Sequence, residues 1–279
     1  MPELPEVETL KRQFSTILIG LKIKDIQILK TRSFLGDHKS VIGKKIIGIR
    51  RFAKILVIDL SSGLSLAVHL KMSGQLIYKG VRNKHTRVII TFTNDDRLFF
   101  NDIRMFGWIK VVNNNPITQS SNNPINEKIQ NINDLIKNLG PEPLRNLTLE
   151  TFKNILKVSK RPVKLVLMDQ QKMGGVGNIY ANDALFLSRI HPITSANLLS
   201  ESQAEKLYLK LIKVLKEGIK WRGASQNNFR DAYGAKGTKQ EHFYVYDRAG
   251  KQCSNKCGET IKRMTLGGRG TFYCPICQV

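Results

Sequence analysis

Residues 253–277 read CSNKCGETIKRMTLGGRGTFYCPIC, and this stretch defines the fold of the C-terminal end of the chain. It holds all four cysteines of the sequence as two close pairs separated by sixteen residues. Two such pairs are typical of a tetrahedral zinc site on a β-hairpin, whereas disulfides are rare in a reducing compartment. We therefore predict one structural zinc ion, with the ligands Cys253, Cys257, Cys274 and Cys277.

Two glycine-rich elements point to an anionic ligand. Residues 265–271 (TLGGRGT) lie between the cysteine pairs and present a single arginine, Arg269, which suits bidentate binding of a phosphate. Residues 174–182 (GGVGNIYAN) lie between two helical patterns and open the second, where backbone N–H groups bind anions. Taken alone, the second element is equally consistent with a simple turn between helices.

The charge balance favours nucleic acid as the partner. The chain has 45 Lys and Arg against 22 Asp and Glu, a net charge of +23 over 279 residues. A compositional bias toward Lys, Ile and Asn is the alternative, but it would raise the lysine content without lowering the acidic content. No apolar run approaches the roughly 18 residues of a membrane span, and the chain has no signal-peptide pattern. We expect a soluble, intracellular protein.

Upstream of the tail, the periodicity predicts an α+β protein of several domains. A helix over 5–19 comes first, and the short apolar runs that follow indicate an antiparallel β-sandwich or barrel: 55–60, 64–69, 87–93, 97–100 and 108–112. An Asn/Ser/Pro-rich linker precedes a helical region. Its clearest helix is 202–221, with Ser202 and Glu205 as a capping box.

Two loops after strands carry a candidate DNA wedge. The sequences HLKMSG (69–74) and NDIRMFG (101–107) each follow a predicted strand, so both could lie on one rim of the sandwich. A Met, an Arg and a Phe on exposed loops suit insertion into a base stack. The alternative places Met72 and Phe106 in the core, where these residue types are usually buried.

The N-terminal sequence MPELPEVE (1–8) supplies a candidate nucleophile. If Met1 is removed, Pro2 presents a secondary amine, and an α-amino group with a pKa of about 7.7–8.0 is partly unprotonated near neutral pH. Its adduct with a carbonyl-type carbon is a cationic iminium, which withdraws electrons. Glu3 and Glu6 place two carboxylates nearby. The alternative is an ordinary helix start, in which proline and acidic residues are common.

The order of these motifs resembles the formamidopyrimidine-DNA glycosylases of the Fpg/Nei family over essentially the whole chain. MPELPEVET, HLKMSG, NDIRMFG, GGVGNIYAND and the cysteine tail carry the resemblance. It implies an N-terminal antiparallel β-sandwich with a flanking helix, a helix–two-turn–helix domain and a β-hairpin zinc finger. The implied domains are a catalytic domain over 1–113, a linker over 114–133, a helical domain over 134–241 whose loop 223–241 is a lid on the lesion, and the finger over 242–279.

The resemblance also implies a role for each matching residue. Pro2 matches the nucleophile, Glu3 the acid that assists base departure, and Glu6 a supporting carboxylate. Lys54 matches a residue that assists β-elimination, and Arg269 one linked to δ-elimination and phosphate binding. The residues at DNA-contact positions are His85, Arg104, Lys160, Lys164 and Asn178, and those that fill the gap left by the flipped nucleotide are Met72, Arg104 and Phe106.

These roles imply a bifunctional DNA glycosylase and AP lyase of base excision repair that removes oxidised purines from double-stranded DNA. The protein would be a cytoplasmic, nucleoid-associated bacterial monomer without a redox or organic cofactor. The alternatives are an endonuclease VIII-like glycosylase for oxidised pyrimidines and a non-catalytic zinc-finger DNA-binding protein. Three positions depart from the family pattern: the three-residue spacing of Cys253 and Cys257, Met105 in place of an arginine, and Asp183 in place of a glutamate.

Overall fold

A computed structural model of the protein describes residues 1–114, 129–226 and 228–279. The chain forms two compact units. The first unit contains residues 1–138 and 222–238, and the second contains residues 139–221 and 239–279. Segment 222–238 leaves the helical part of the chain, packs with the first unit and returns, and we call it the strap.

The first unit is a β-sandwich with a helix. Helix α1 spans Leu4–Ile17. The strands are β1 Ile23–Ile28, β2 Phe34–Leu35, β3 Ile46–Phe52, β4 Ile55–Leu60, β5 Leu64–His69, β6 Gly74–Tyr78, β7 Thr86–Phe92, β8 Arg97–Asp102 and β9 Trp108–Asn113. Among the described residues, one sheet has the order β2-β9-β5-β4-β3 and the other β1-β7-β8-β6. All neighbours are antiparallel except β2 and β9, so the predicted antiparallel sandwich is confirmed.

The apolar stripe of α1 packs into the core between the sheets. Val7, Leu10, Phe14 and Leu18 are buried together with inward-facing residues of both sheets. Burying a side chain as large as Phe14 stabilises the folded state by about 1.5–3 kcal/mol. The helix packs against β3 and β4, so the core also fixes where the N-terminus begins.

The apolar runs located five of the strands within two residues. Strands β4 and β5 coincide with the predicted runs. Strands β1, β2, β3 and β6 were not predicted. Strand β1 has two exposed charged residues, β2 has only two residues, β3 is interrupted by a glycine and two arginines, and β6 begins with Gly74. Helix α1 begins one residue earlier and ends two residues earlier than the predicted span.

The second unit is helical and ends in a hairpin. Its elements are α3 Leu149–Lys157, α4 Val163–Met168, α5 Asn178–Ser188, α6 Glu201–Lys220, β10 Lys262–Leu266 and β11 Arg269–Tyr273. Nine of the eleven residues of helix α5 are buried, and the helix packs against α4, α6 and β11, which makes it the centre of this unit. No helix in the described part of the chain is both long and apolar enough to cross a bilayer.

The capping box of α6 lies two residues before the predicted one. Ser200, not Ser202, is the N-cap, and its hydroxyl accepts from the backbone N–H of Gln203 while the Gln203 side chain accepts from the N–H of Ser200. Both pairs fit the capping-box pattern, and the observed pair lies two residues, about half a helical turn, before the predicted one. Leu207, Leu211 and Val214 lie on the buried face of this helix.

The linker and the loop also differ from their predicted boundaries. Residues 115–128 of the predicted linker 114–133 lie outside the described residues, and the short helix α2, Ile132–Ile136, belongs to the first unit. Loop 223–241 was assigned to the helical domain, but residues 222–238 pack with the sandwich instead. The reason is a set of long-range hydrogen bonds that no local sequence pattern encodes.

Candidate active site and nucleic-acid interface

The start of α1 places the candidate nucleophile beside two buried carboxylates. Pro2, Glu3 and Glu6 are all buried. Glu3 is the N-cap of the helix and forms a capping box with Glu6, whose Oε2 accepts from the backbone N–H of Glu3 at 2.7 Å. The helix start and the candidate site are therefore one structure, and the two interpretations of this sequence do not exclude each other.

Glu6 also holds the strap. Its Oε1 accepts from the backbone N–H of Ala224 at 2.8 Å. Gly223 has φ +82°, and a Cβ there would lie 2.9 Å from Glu6 Cγ, so this approach requires glycine. Farther along the strap, Gln13 Oε1 accepts from the N–H of Ala232 at 3.0 Å. The strap therefore lies along α1 and is bonded to it at Glu6 and at Gln13.

The hairpin turn between β3 and β4 carries Lys54. The side chain is buried, and the residue before it, Ala53, has the left-handed φ of +51°. Arg51 holds this turn by donating from Nη1 to the Ala53 carbonyl at 2.9 Å and from Nε to Glu8 Oε2 at 2.9 Å. Burial acts to raise the pKa of Glu8, but the hydrogen bonds from Arg51 and Arg12 outweigh it and the net pKa is lowered. The charged Glu8–Arg51 pair thus connects α1 to the turn of Lys54.

His69 is a residue of this region that the sequence analysis did not assign. Its Nδ1 accepts from the backbone N–H of Lys71 at 3.0 Å, and its ring lies 5.7 Å from that of Trp108. Burial, with the positive charges of Lys71 and Lys54, lowers the pKa of His69 to about 3. The imidazole is therefore neutral at physiological pH. The sequence feature that could have marked His69 as functional was its position at the end of a predicted strand, as the first residue of the HLKMSG motif.

The three candidate wedge residues lie on two loops at the ends of strands, which we call the wedge loops: residues 70–73 and 103–107. Met72 is 37% exposed and Phe106 is 49% exposed, which rules out the core alternative for both. Arg104 is exposed, and its guanidinium carbon lies 5.0 Å from the centre of the Phe106 ring. An exposed thioether, guanidinium and phenyl ring on the wedge loops suit contact with bases.

The other predicted DNA contacts have different environments. His85 is half-buried before β7, and Lys160 is exposed before α4. Asn178 opens α5 and donates from Nδ2 to the Gly270 carbonyl at 3.0 Å. Arg269 is exposed at the start of β11, next to the glycine turn of the hairpin. DNA contact by the first three residues, and phosphate binding and δ-elimination by Arg269, stay predictions.

Lys164 does not fit the predicted DNA contact. Its side chain is 0% exposed, and its ammonium donates to the Gly270 carbonyl at 3.1 Å and to Thr271 Oγ1 at 2.6 Å. These two bonds satisfy the buried ammonium, and the side chain has no exposed surface with which to contact a phosphate. Lys164 instead binds strand β11, which begins at Arg269. The charge of Lys164 and its position in the sequence could not distinguish this structural role from phosphate binding.

The four cysteines converge at the base of the hairpin. Their sulfur atoms all lie within 4.8 Å of one another, with Cys253 and Cys277 at 3.8 Å and Cys257 and Cys274 at 3.5 Å. Sulfurs about 2.3 Å from a tetrahedral zinc ion lie about 3.8 Å apart, so the cluster fits this metal. The three-residue spacing of the first pair therefore leaves the geometry of the site intact.

The cysteine pKa values differ within the cluster. Burial raises the pKa of the Cys253 thiol to about 12, and the backbone N–H of Glu259 lowers the pKa of Cys257 to about 7. Zinc ligation requires thiolates, so the cluster depends on a cation to keep all four ionised.

Two further departures from the family pattern have clear environments. Met105 lies between Arg104 and Phe106 with a left-handed φ of +55°, and it adds no cation to the wedge loops. Asp183 is fully buried, and its Oδ1 accepts from the backbone N–H groups of Val245 and Tyr246 at 3.1 and 3.2 Å. Burial raises the pKa of Asp183. Asp183 thus holds the chain that leads into the cysteine module.

Comparison with known proteins identifies each part of the chain. Residues 1–109 match the formamidopyrimidine-DNA glycosylase N-terminal domain, residues 139–230 match the H2TH domain of the same enzymes, and residues 250–279 match the zinc finger found in FPG and IleRS. These matches agree with the sandwich, the helices and the cysteine hairpin described above.

Relatives and solved structures match over almost the full length. The formamidopyrimidine-DNA glycosylases of Pelotomaculum thermopropionicum and Chloroflexus aurantiacus are 39% and 38% identical, covering 100% of this chain and 99% and 98% of theirs. A mutant of Lactococcus lactis FPG, crystallised with DNA containing Fapy-dG, is 32% identical with a TM-score of 0.86 and 99% coverage of both chains. The chain belongs to the formamidopyrimidine-DNA glycosylase family.

Proposed function

We propose that this protein is a bifunctional DNA glycosylase and AP lyase of base excision repair that acts on oxidised purines. The observation that carries the proposal is the buried start of α1, where Pro2 lies beside the Glu3–Glu6 capping box. Membership of the glycosylase family supports the same chemistry. Lactococcus lactis FPG was crystallised with DNA containing Fapy-dG and with DNA containing an oxidised pyrimidine, which supports damaged DNA as the substrate.

The first step exchanges the base for the enzyme amine at C1′ of the sugar. The lone pair of the Pro2 nitrogen forms the N–C1′ bond as the glycosidic bond breaks, and the bonding electrons leave with the base. Glu3 is the proton donor that assists this departure. The Pro2 nitrogen then loses its N–H proton, and its lone pair forms the C=N bond as the C1′–O4′ bond breaks and O4′ takes up a proton. The product is an iminium between Pro2 and C1′ that has no remaining N–H and therefore stays cationic.

The second step cleaves the strand by elimination. The iminium acidifies the C2′ proton, whose removal expels the 3′ phosphate with the electrons of its C3′–O bond. A further elimination at C4′ expels the 5′ phosphate, and water then releases the sugar fragment from Pro2. We assign Lys54 to the first elimination and Arg269 to the second, and Glu6 to holding the helix start during both.

We propose damaged double-stranded DNA as the partner, bound by the positive charge of the chain. Met72, Arg104 and Phe106 would fill the gap left by the flipped nucleotide, and His85, Lys160 and Asn178 would contact the backbone. Zinc held by the four cysteines would stabilise the hairpin that presents Arg269 to a phosphate. We expect the protein to act as a monomer on chromosomal DNA in the bacterial cytoplasm, without a redox or organic cofactor.

A cleavage panel tests the proposal against its alternatives. Duplexes carrying 8-oxoguanine, formamidopyrimidine or an oxidised pyrimidine are incubated with the protein, and base release and strand scission are measured separately. We expect both reactions on the two purine lesions and less on the pyrimidine. Preferential cleavage of the pyrimidine duplex would indicate the endonuclease VIII-like activity, and binding without cleavage would indicate a non-catalytic protein.

A further inference from the structure

Asp102 is a buried carboxylate that accepts hydrogen bonds from both wedge loops. It ends strand β8 and is 1% exposed. Its Oδ1 accepts from the Ser73 hydroxyl at 2.5 Å and from the backbone N–H of Arg104 at 3.2 Å. Its Oδ2 accepts from the backbone N–H of Gly107 at 2.7 Å. One side chain therefore connects the loop after β5 to the loop after β8.

Each donor is a wedge residue or the neighbour of one. Ser73 follows Met72, Gly107 follows Phe106, and Arg104 donates directly. The Arg104 N–H also donates to Ser73 Oγ at 2.9 Å, which closes a triangle with the carboxylate. The backbone positions of all three candidate wedge residues are thus fixed relative to Asp102.

The backbone of Asp102 extends this arrangement to β7. Its N–H donates to the carbonyl of His85 at 2.9 Å, and its carbonyl accepts from Arg87 Nε at 2.8 Å. Arg87 is buried and also donates to the Lys84 carbonyl. His85 is a predicted DNA contact, so Asp102 bonds to a fourth position of the proposed interface.

Gly107 shows how closely the second wedge loop packs on this group. A Cβ at Gly107 would lie 3.1 Å from Asp102 Oδ2 and 2.9 Å from the Phe100 ring, so the loop reaches the carboxylate only through glycine. A buried carboxylate destabilises the folded state unless its oxygens accept hydrogen bonds, and here the wedge loops supply the donors. The stability of the carboxylate and the shape of the loops therefore depend on each other.

We propose that Asp102 is a positioning residue that holds Met72, Arg104 and Phe106 ready to enter a DNA duplex. The inference rests on the proposed function, because it concerns the same wedge. Loops that are already ordered lose little conformational entropy when DNA binds, and this favours insertion of the wedge residues into the duplex. Asp102 itself is buried, so we assign it a role in positioning the loops and not in contact with a base.

The Asp102→Asn variant tests this role. It keeps the size of the side chain but turns one acceptor oxygen into a donor, so at least one wedge-loop bond is lost. We expect kcat/KM for excision of 8-oxoguanine from a duplex to fall by at least about tenfold. A 2-aminopurine next to the lesion should report less unstacking on binding. Cleavage of a single-stranded abasic oligonucleotide, which has no stack to fill, should fall much less.

Two further variants keep the test decisive. Ser73→Ala removes one donor and leaves the carboxylate, so it should shift the same readouts in the same direction by less, and it carries the test if Asp102→Asn does not fold. Asp25→Asn removes an exposed charge from the same sheet and should match the parent.

Three outcomes would overturn the assignment. The first is a folded Asp102→Asn protein with the parental 2-aminopurine signal and parental duplex excision. The second is an equal loss on the duplex and on the single-stranded abasic substrate, which would indicate general structural damage. The third is a parent that cleaves neither substrate, and only this one contradicts the proposed function as well.

Discussion

Glu6 accepts a hydrogen bond from the backbone N–H of Ala224 at 2.8 Å, although the two residues lie 218 positions apart in the chain. The other oxygen of the same carboxylate accepts from the N–H of Glu3, next to the candidate nucleophile. One side chain thus joins the N-terminus to the strap. A shift of the strap at Ala224 should therefore alter the hydrogen bond between Glu6 and Glu3, the residue that follows Pro2.

The Glu6→Gln variant should disturb both ends of this connection. An amide has one oxygen, so either Glu3 or Ala224 loses its acceptor, at a cost of about 1–3 kcal/mol. We expect faster amide exchange near Ala224 and slower release of the damaged base. Glu150→Gln, an exposed acid in the first turn of α3, is the matched control. Parental exchange and parental base release in Glu6→Gln would contradict the connection.

His69 should make the first unit sensitive to acid. The folded state favours the neutral imidazole and lowers the pKa of His69 to about 3, so its contribution to stability is complete above the ordinary value of 6.5 and is lost as the pH falls through 3. His69→Asn keeps an acceptor for Lys71 but does not titrate. The parent should exceed this variant in Tm by more at pH 7 than at pH 4. A difference independent of pH would show that His69 does not titrate as described.

Part of this fold and site follows from local sequence patterns. Helix α1, strands β4 and β5 and the cysteine cluster each depend on residues close together in the chain, and each was predicted. The partners of the strap were not, because its bonds to Gln13 and Glu6 join distant segments. Lys164 was misassigned for a similar reason. Its charge indicated DNA, but the fold buries it against the hairpin strand.

Loss of a cysteine from the C-terminal module should lower DNA affinity without lowering the stability of the sandwich. Cys274→Ser removes one ligand of the proposed zinc site, and so small a module depends on metal for much of its folding energy. We expect zinc content and DNA affinity to fall together, while the sandwich keeps its circular dichroism. Ser254→Ala, an exposed change beside Cys253, is the control. Full zinc and full affinity in Cys274→Ser would exclude this cysteine as a ligand.

Arg269→Ala should act without loss of metal. The side chain is exposed on the hairpin, so its removal should leave the cysteine cluster intact but weaken DNA binding and δ-elimination. Products that retain the sugar fragment after β-elimination should accumulate on a gel. Arg263→Ala, an exposed arginine on the neighbouring strand, controls for charge. Equal effects of the two variants would mean that only the charge of the hairpin matters.

Binding should depend steeply on salt. If about six phosphates are neutralised, affinity for a lesion duplex should fall by roughly 10³ or more between 50 and 200 mM salt. Titrations across this range, with a duplex labelled away from the lesion, give the slope. An affinity that is nearly independent of salt would mean that the net charge of +23 does not serve DNA binding.

Borohydride trapping tests the central claim, that the amine of Pro2 is the nucleophile. Protein with Met1 removed is incubated with 8-oxoguanine duplex and borohydride, and the covalent complex is mapped by peptide mass spectrometry. A protein extended ahead of Pro2, whose nitrogen is an amide, is the comparison. We expect an adduct on the peptide that begins with Pro2 and none in the extended protein. Equal trapping by the extended protein, or an adduct on Lys54, would contradict it.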